Sequence, residues 1–484
     1  MFDLFGDAGI SDSKVVPMVP TGTLLDYMTG EFVPGMDGAT ICDGGLAPTN
    51  GTHGPPGTFK STLTDGWMVN ALERWPETRY LDYDTEQSKR NKDRLARMAS
   101  LYRDDPEKRA AHVSDVENRI RVKNLTDYPY IEDFLEDIKT MYDAKMKNLK
   151  NWMVETPILD SRSGKPRRMI LPTFICLDSL SKAVVKTVDQ AMLKAGDTSG
   201  DSNMSAAREA LMKNRILRRL PKMAETAGFC FFFTAQQADV MSTDGGPPKK
   251  VTQFMRQGEK VKGTGSDYMF LVQSDFEVRS PKLCLDGDKK CDYPYPSGIT
   301  APAEMSEVQF TVNRCKNHGA GLRFLPVVSQ TNGYEPAVSD YNFLRKNGFF
   351  GLGTDRARPR PALMSDQFFM RTTAYEKLKD PKMARAIEIL AQLYMVQTSW
   401  TIMDKVVPFD ITPEQLAEFL NKSSYAMGDI LASRGWWTYK GTKFDDQPYM
   451  SLYDILAIAA GAYKPKFWQV GSAKAETPVT KKAA

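Results

Sequence analysis

Histidine is nearly absent from this chain: its 484 residues hold only His53, His112 and His318, none beside a cysteine cluster. A structural zinc site, or a hydrolase built on a Ser-His-Asp triad, is therefore hard to assemble. Cysteine is sparse too. Cys42, Cys176, Cys230, Cys284, Cys291 and Cys315 form no C-x-x-C pair and read as reduced thiols in a cytosolic setting, two or three of them core residues. No stretch approaches the ~18 uninterrupted apolar residues of a membrane span. The opening MFDLFGDAGISDSK has acids and no basic region before an apolar run, so it does not read as a secretory signal. An excess of either charge is also missing. At a net +4, a nucleic-acid partner must be met by a local patch.

What is present is a globular composition, 26% charged and 42% hydrophobic, in a chain long enough for about three domains of ~150 residues. One stretch organises it: GPPGTFKST, Gly54 to Thr62. A Gly/Pro loop followed by Lys-Ser ahead of an apolar helix suits phosphate binding. Backbone N–H groups of Gly54, Pro55, Pro56, Gly57, Thr58 and Phe59 or their neighbours would surround the anion, apart from the two prolines, which have no N–H to offer. Lys60 would reach the outer phosphates, and the Ser61 hydroxyl, next to Thr62, would hold Mg²⁺. Phe59 departs from the G-x-x-x-x-G-K-[ST] pattern, occupying the place of its second glycine. Taken alone, the stretch has a plainer reading, a Pro/Gly turn before a helix.

The helix opened by this loop is expected from Ser61 to Arg74 and is broken by Pro76. RYLDYDTEQS then reads as a short strand ending in Asp82, Asp84 and Glu86. Residues 88–170 are polar and helix-rich, with a basic loop or hairpin at SRSGKPRRM. PTFICLDSLS and GFCFFFTAQQ are near-continuous apolar runs of the kind found in buried parallel strands, and DYMFLVQSDFEV and EVQFTVNRCK are further strand candidates. Strands alternating with helices predict an α/β fold with a mostly parallel central sheet. The expected divisions are an N-terminal arm (1–19), a core (20–354) with insertions near 100–170 and 280–305, a smaller helical C-terminal domain (362–470) and a disordered tail (471–484). Within the helical part, Thr412-Pro413-Glu414-Gln415 has the form of a capping box, and Ser451 to Asp454 resembles a second cap.

A phosphate loop that hydrolyses nucleotide also needs an acid at the end of a neighbouring buried strand and a carboxylate that orients water. Asp178, after Phe174-Ile175-Cys176-Leu177, fits the first requirement, and Glu86 the second. The plainer alternatives are a helix cap for Asp178 and a solvated loop acid for Glu86.

Taken together, these segments resemble a RecA-type recombinase, most closely the divergent members from tailed phages. PTGTLLD resembles the approach to the family's ATPase core and GPPGTFKST its phosphate loop; LDYDTEQ places Glu86 at the catalytic glutamate. ICLDSLSKAV resembles the second nucleotide motif, with Asp178 in the metal shell. GDSNMSAAREALM resembles the end of the first DNA-binding loop and its following helix, where Met204 could act as an apolar wedge or simply start the helix. FFTAQQAD places Gln236 at the ATP-sensing glutamine, at the base of the second DNA loop. NRCKNHGAGLRF resembles the segment that reaches a neighbouring subunit's ATP: Lys316 fits the first of its two lysines, His318 replaces the second, and Arg314 or Arg323 could substitute. The resemblance covers roughly Pro20 to Pro336.

It implies a RecA-like P-loop ATPase that uses ATP and Mg²⁺, forms filaments on single-stranded DNA, and promotes pairing and strand exchange with duplex DNA in recombination and repair. It also implies self-assembly, filament or ring, and a phage-encoded protein acting in the host cytoplasm without a membrane. Between Lys249 and Lys262 the second loop carries Lys249, Lys250, Arg256, Lys260 and Lys262 against Glu259 alone, a basic concentration suited to a phosphate backbone. Phe254 and Met255 are expected to be able to insert between bases. The paired Trp436 and Trp437 with Tyr439 read as core packing, with base stacking as the alternative. Two other functions remain open: a hexameric helicase-type motor on the same core, and a partner protein that binds nucleotide without strand exchange.

Overall fold

The computed structural model describes residues 16–86, 92–195, 202–239, 250, 253–262, 272–315, 319–352, 358–399, 409–423 and 425–462. Its centre is a mostly parallel sheet. In chain order the strands are β1 (Thr49–Gly54), β2 (Arg79–Asp84), β3 (Ile120–Asn124), β4 (Thr173–Asp178), β5 (Phe229–Asp239), β6 (Glu259–Val261), β7 (Ser274–Leu283), β8 (Met305–Cys315), β9 (Arg323–Phe324), β10 (Val327–Ser329) and β11 (Gly333–Tyr334). Across the sheet the order is β11-β10-β8-β7-β1-β5-β4-β2-β3, with β6 on β5 and β9 on β8. The run from β7 to β3 is parallel throughout, and β7, β8, β10 and β11 close that side as antiparallel neighbours.

The apolar runs become strands covered on both faces. Along β5, Cys230 and Phe232 enter the core on one side, while Phe229, Phe231 and Phe233 enter the core on the other. That alternation is the period of two of an extended chain, with neither face left polar because helices cover both. On the first face lies α1 (Lys60–Arg74), whose Trp67 is 1% exposed. The Trp67 ring lies 5.0 Å from Phe310 and 5.8 Å from Phe276, so α1 is pinned over β7 and β8. Truncating such a residue to Ala typically costs about 3–5 kcal/mol. On the second face, α2 (Ile131–Lys147) buries Ile131, Phe134 and Ile138 against Tyr83 and Leu177.

The 100–170 region is woven into this plan. It supplies β3, the edge strand beside β2, and a separate hairpin of Met153–Leu159 with Pro166–Ile170 that carries the basic SRSGKPRRM turn. β3 lacks the apolar run of its neighbours; only Ile120 of its five residues is buried. The 280–305 region leaves the sheet after β7 and returns at Met305, with a bridge between Leu285 and Cys291.

The C-terminal helices α3 (Pro381–Thr398), α4 (Pro413–Lys422) and α5 (Leu452–Ala459) contribute to the same buried cluster as the first face of the sheet. Trp437 donates from Nε1 to the Cys42 carbonyl at 3.0 Å and meets Trp75 edge-on; Tyr439 donates to the Pro76 carbonyl at 2.6 Å. Trp436, Trp437 and Tyr439 are all buried, so they serve packing. Both expected caps form. Thr412 and Gln415 exchange hydrogen bonds at 3.2 and 2.8 Å, and Ser451 accepts from the Asp454 N–H at 3.2 Å. Among the described residues no helix is long and apolar enough to cross a membrane.

Candidate functional site

The carboxyl ends of β1, β2, β4 and β5 open on one side of the sheet, where a parallel α/β architecture places its ligand crevices. A cavity of ≈ 260 Å³ lies there. Its lining includes Pro56 to Thr62, Glu86, Asp178 and Gln236, residues brought together from four separate stretches of sequence.

The loop leaves β1 at Gly54, where a Cβ would stand 2.1 Å from the Val278 carbonyl oxygen of β7. Only glycine permits that approach. Gly57 and Phe59 then take left-handed conformations, φ +73° and +62°. The place of the pattern's second glycine thus retains a glycine-like backbone while carrying a phenyl ring, at a cost of roughly 1–2 kcal/mol. Phe59 is the residue before α1, and no side chain caps the helix, so its first N–H groups are left for a ligand. Inside the loop, Thr58 Oγ1 and Lys60 Nζ both donate to the Pro55 carbonyl, at 2.8 and 2.6 Å. Burial pushes the Lys60 ammonium below its ordinary pKa, while the carboxylates of Asp178 and Glu86 oppose the shift. An anion in the cavity would favour the charged form further.

Asp178 ends β4 and is 1% exposed. The Thr234 hydroxyl, on the neighbouring strand β5, donates to its Oδ1. The following backbone is gripped as well: Ser179 N–H donates to Thr85 Oγ1 at 2.6 Å, and Leu180 N–H to the Thr234 carbonyl at 2.8 Å. Glu86, at the end of the β2 turn, is exposed; its backbone N–H is held by Asp84 at 3.0 Å and its carboxylate lies 3.4 Å from Lys182 Nζ. Gln236 donates its N–H to Ser181 Oγ at 2.9 Å and accepts from the Lys262 N–H at 2.7 Å. It therefore stands where the cavity and the foot of the basic loop meet.

Magnesium requires little of the protein beyond a carboxylate, a hydroxyl and the ligand's own oxygens. Ser61 and Asp178 both line the cavity, and the buried Ser179 Oγ has no hydrogen-bond partner among the described residues. That donor set fits a hydrated Mg²⁺ on a nucleotide. Among the described residues there is no cluster of three or more His, Cys, Asp or Glu arranged to hold a metal ion.

Several lining residues were not singled out from sequence. Arg94, Leu95 and Met98 come from the helix Lys92–Arg97 and the turn after it, and Asp65 from α1. Thr234 lay hidden inside an apolar strand, with position in the register its only signal.

The DNA-binding expectations meet the structure unevenly. Lys250, Arg256, Lys260 and Lys262 are exposed, and Lys260 sits on β6 opposite Ala238. Lys249, Lys316 and His318 lie outside the described residues. Met204 falls within the helix Ser202–Leu217. Phe254 is 39% exposed, but Met255 is 1% exposed and belongs to the second-face core with Val261 and Leu180. Met255 is thus a hydrophobic anchor for the loop, which overturns its expected insertion between bases. Arg323 is exposed and Arg314 half-buried.

No family model matches the chain, and no curated protein matches it.

Proposed function

We propose that this chain is a RecA-type, ATP-dependent DNA recombinase that assembles on single-stranded DNA and promotes homologous pairing and strand exchange. The observation that carries the reading is the convergence of Lys60, Ser61, Glu86, Asp178 and Gln236 on one cavity at the carboxyl edge of a parallel sheet. Five residues chosen for one chemistry from distant stretches of sequence meet in one place.

In this reading the triphosphate lies over the uncapped start of α1, with Lys60 turning from the Pro55 carbonyl toward the outer phosphates. Bound magnesium supplies charge neutralisation at the phosphate oxygens. Ser61 and Asp178 hold it, and Thr234 fixes the Asp178 carboxylate. Glu86 orients the attacking water. Gln236 reports the occupied site to the basic loop, whose exposed lysines and Arg256 meet the DNA backbone. The loop's excess of cations makes binding fall steeply with salt.

The test is steady-state ATP turnover with and without single-stranded DNA. Magnesium-dependent turnover that DNA accelerates supports the reading. A chain that binds neither ATP nor single-stranded DNA contradicts it.

A further inference from the structure

A chain of polar side chains runs beneath the cavity, through residues that the proposed chemistry leaves unused. It starts at His53, the β1 residue immediately before Gly54. His53 is fully buried, its Nε2 lying 2.9 Å from Asp275 Oδ2 and 2.9 Å from Asn313 Nδ2. On the other side of the ring, Nδ1 lies 2.9 Å from Gln237 Nε2, and the same amide nitrogen donates to Glu277 Oε1 at 2.8 Å. Glu277 pairs with Arg279 at 2.5 Å, and Arg279 donates through both terminal nitrogens to Glu259, which begins β6 at the foot of the basic loop.

The proton positions follow from the donors. A carboxylate only accepts, so Gln237 must turn its amide nitrogen toward Glu277. That nitrogen then gives its second proton to His53 Nδ1, which must accept. A neutral His53 therefore carries its proton on Nε2, facing Asp275, and the Asn313 amide nitrogen beside it must donate to that same carboxylate rather than to Nε2. Each member constrains the next, and breaking a buried link leaves a polar group unpaired at a cost of about 1–3 kcal/mol.

Both ends of this chain matter to the proposed site. At one end, His53 leads directly into the loop at Gly54. In the middle, Gln237 is the neighbour of Gln236, which lines the cavity. At the other end, Glu259 fixes the strand that returns from the basic loop. We propose that His53 and Gln237 are positioning residues in a buried strut that ties the foot of the basic loop to the start of the phosphate loop. Engagement of that loop by a polyanion such as single-stranded DNA then shifts the phosphate loop through the strut as well as through Gln236. This rests on the recombinase reading of the site. Neither residue touches the nucleotide.

The test uses the full chain with Gln237→Leu and, separately, Glu259→Ala. Basal ATP turnover, the ratio of DNA-stimulated to basal turnover, and the thermal midpoint are measured for each. Both variants should keep basal turnover close to the parent while the stimulation ratio falls by about fivefold or more. A purely structural role predicts a lower thermal midpoint with the ratio unchanged, and that result overturns the strut. Glu259 is half-buried at the rim, so Glu259→Ala decides the matter if Gln237→Leu does not fold. A parent protein that DNA does not stimulate removes the recombinase reading and the strut together. A stimulated parent with equally stimulated variants removes the strut alone.

Discussion

Thr234 donates its hydroxyl to the Asp178 carboxylate across the β4–β5 boundary, so the acid proposed for the metal shell is aimed by its neighbour strand. Thr234→Val removes the hydroxyl with little change in volume. Loss of a partner behind a metal-binding group commonly costs 10–100-fold. ATP turnover by Thr234→Val should therefore need about tenfold more Mg²⁺ for half-maximal rate, while the fold persists. An unchanged magnesium titration counts against the role given to Asp178.

Phe59 holds a left-handed backbone at the start of α1. Phe59→Gly adopts that conformation freely, whereas β-branched Phe59→Val resists it. Nucleotide affinity, followed by fluorescence of a labelled ATP analogue, should survive the glycine change and drop with valine. Equal affinities would show that the loop's geometry at this residue does not govern binding.

Three changes separate the proposed steps. Lys60→Ala should abolish turnover, because among the described residues no other lysine lines the cavity. Glu86→Gln should bind ATP yet hydrolyse it at least ~100-fold more slowly, as loss of an orienting base implies. Gln236→Ala should bind ATP but lose stimulation by DNA. Turnover and equilibrium binding, measured side by side, distinguish the three; normal hydrolysis by Glu86→Gln would falsify its assignment.

Stability should depend on pH through buried acids remote from the cavity. Asp26, Asp43 and Asp454 are each pushed up to about 7 by burial, against the hydrogen bonds they accept from backbone N–H groups. A raised folded-state pKa means the native protein holds protons that the unfolded chain releases. The stabilisation is complete below the unfolded value near 3.8 and is lost as pH rises through about 7. Urea midpoints should therefore fall between pH 5 and pH 8. Asp454→Asn, which keeps an oxygen for the Thr40 N–H, should flatten that fall; an identical slope would exclude Asp454 as a contributor.

Much of this plan was legible in sequence because local patterns carried it. Ile175 to Leu177 and Phe229 to Phe233 announced strands buried on both faces, and Thr412 with Gln415 announced a helix start. The loop, Asp178 and Glu86 could be placed because each follows or precedes such a pattern. β3 could not, since its burial comes from pairing with β2 and its own residues are largely polar. Thr234, Arg94 and the His53 strut were invisible for a related reason: their partners lie on other strands or helices, as His53 and Asp275 do across the β1–β7 boundary. Met255 looked like an exposed loop residue and is an anchor, because β6 folds back onto β5 and draws it into the core.

The central claim is assembly on single-stranded DNA for strand exchange. Negative-stain imaging of the chain with single-stranded DNA and a non-hydrolysable ATP analogue tests it most directly. Long right-handed filaments are expected. Closed rings would instead favour a hexameric motor, and the absence of any assembly would contradict the account.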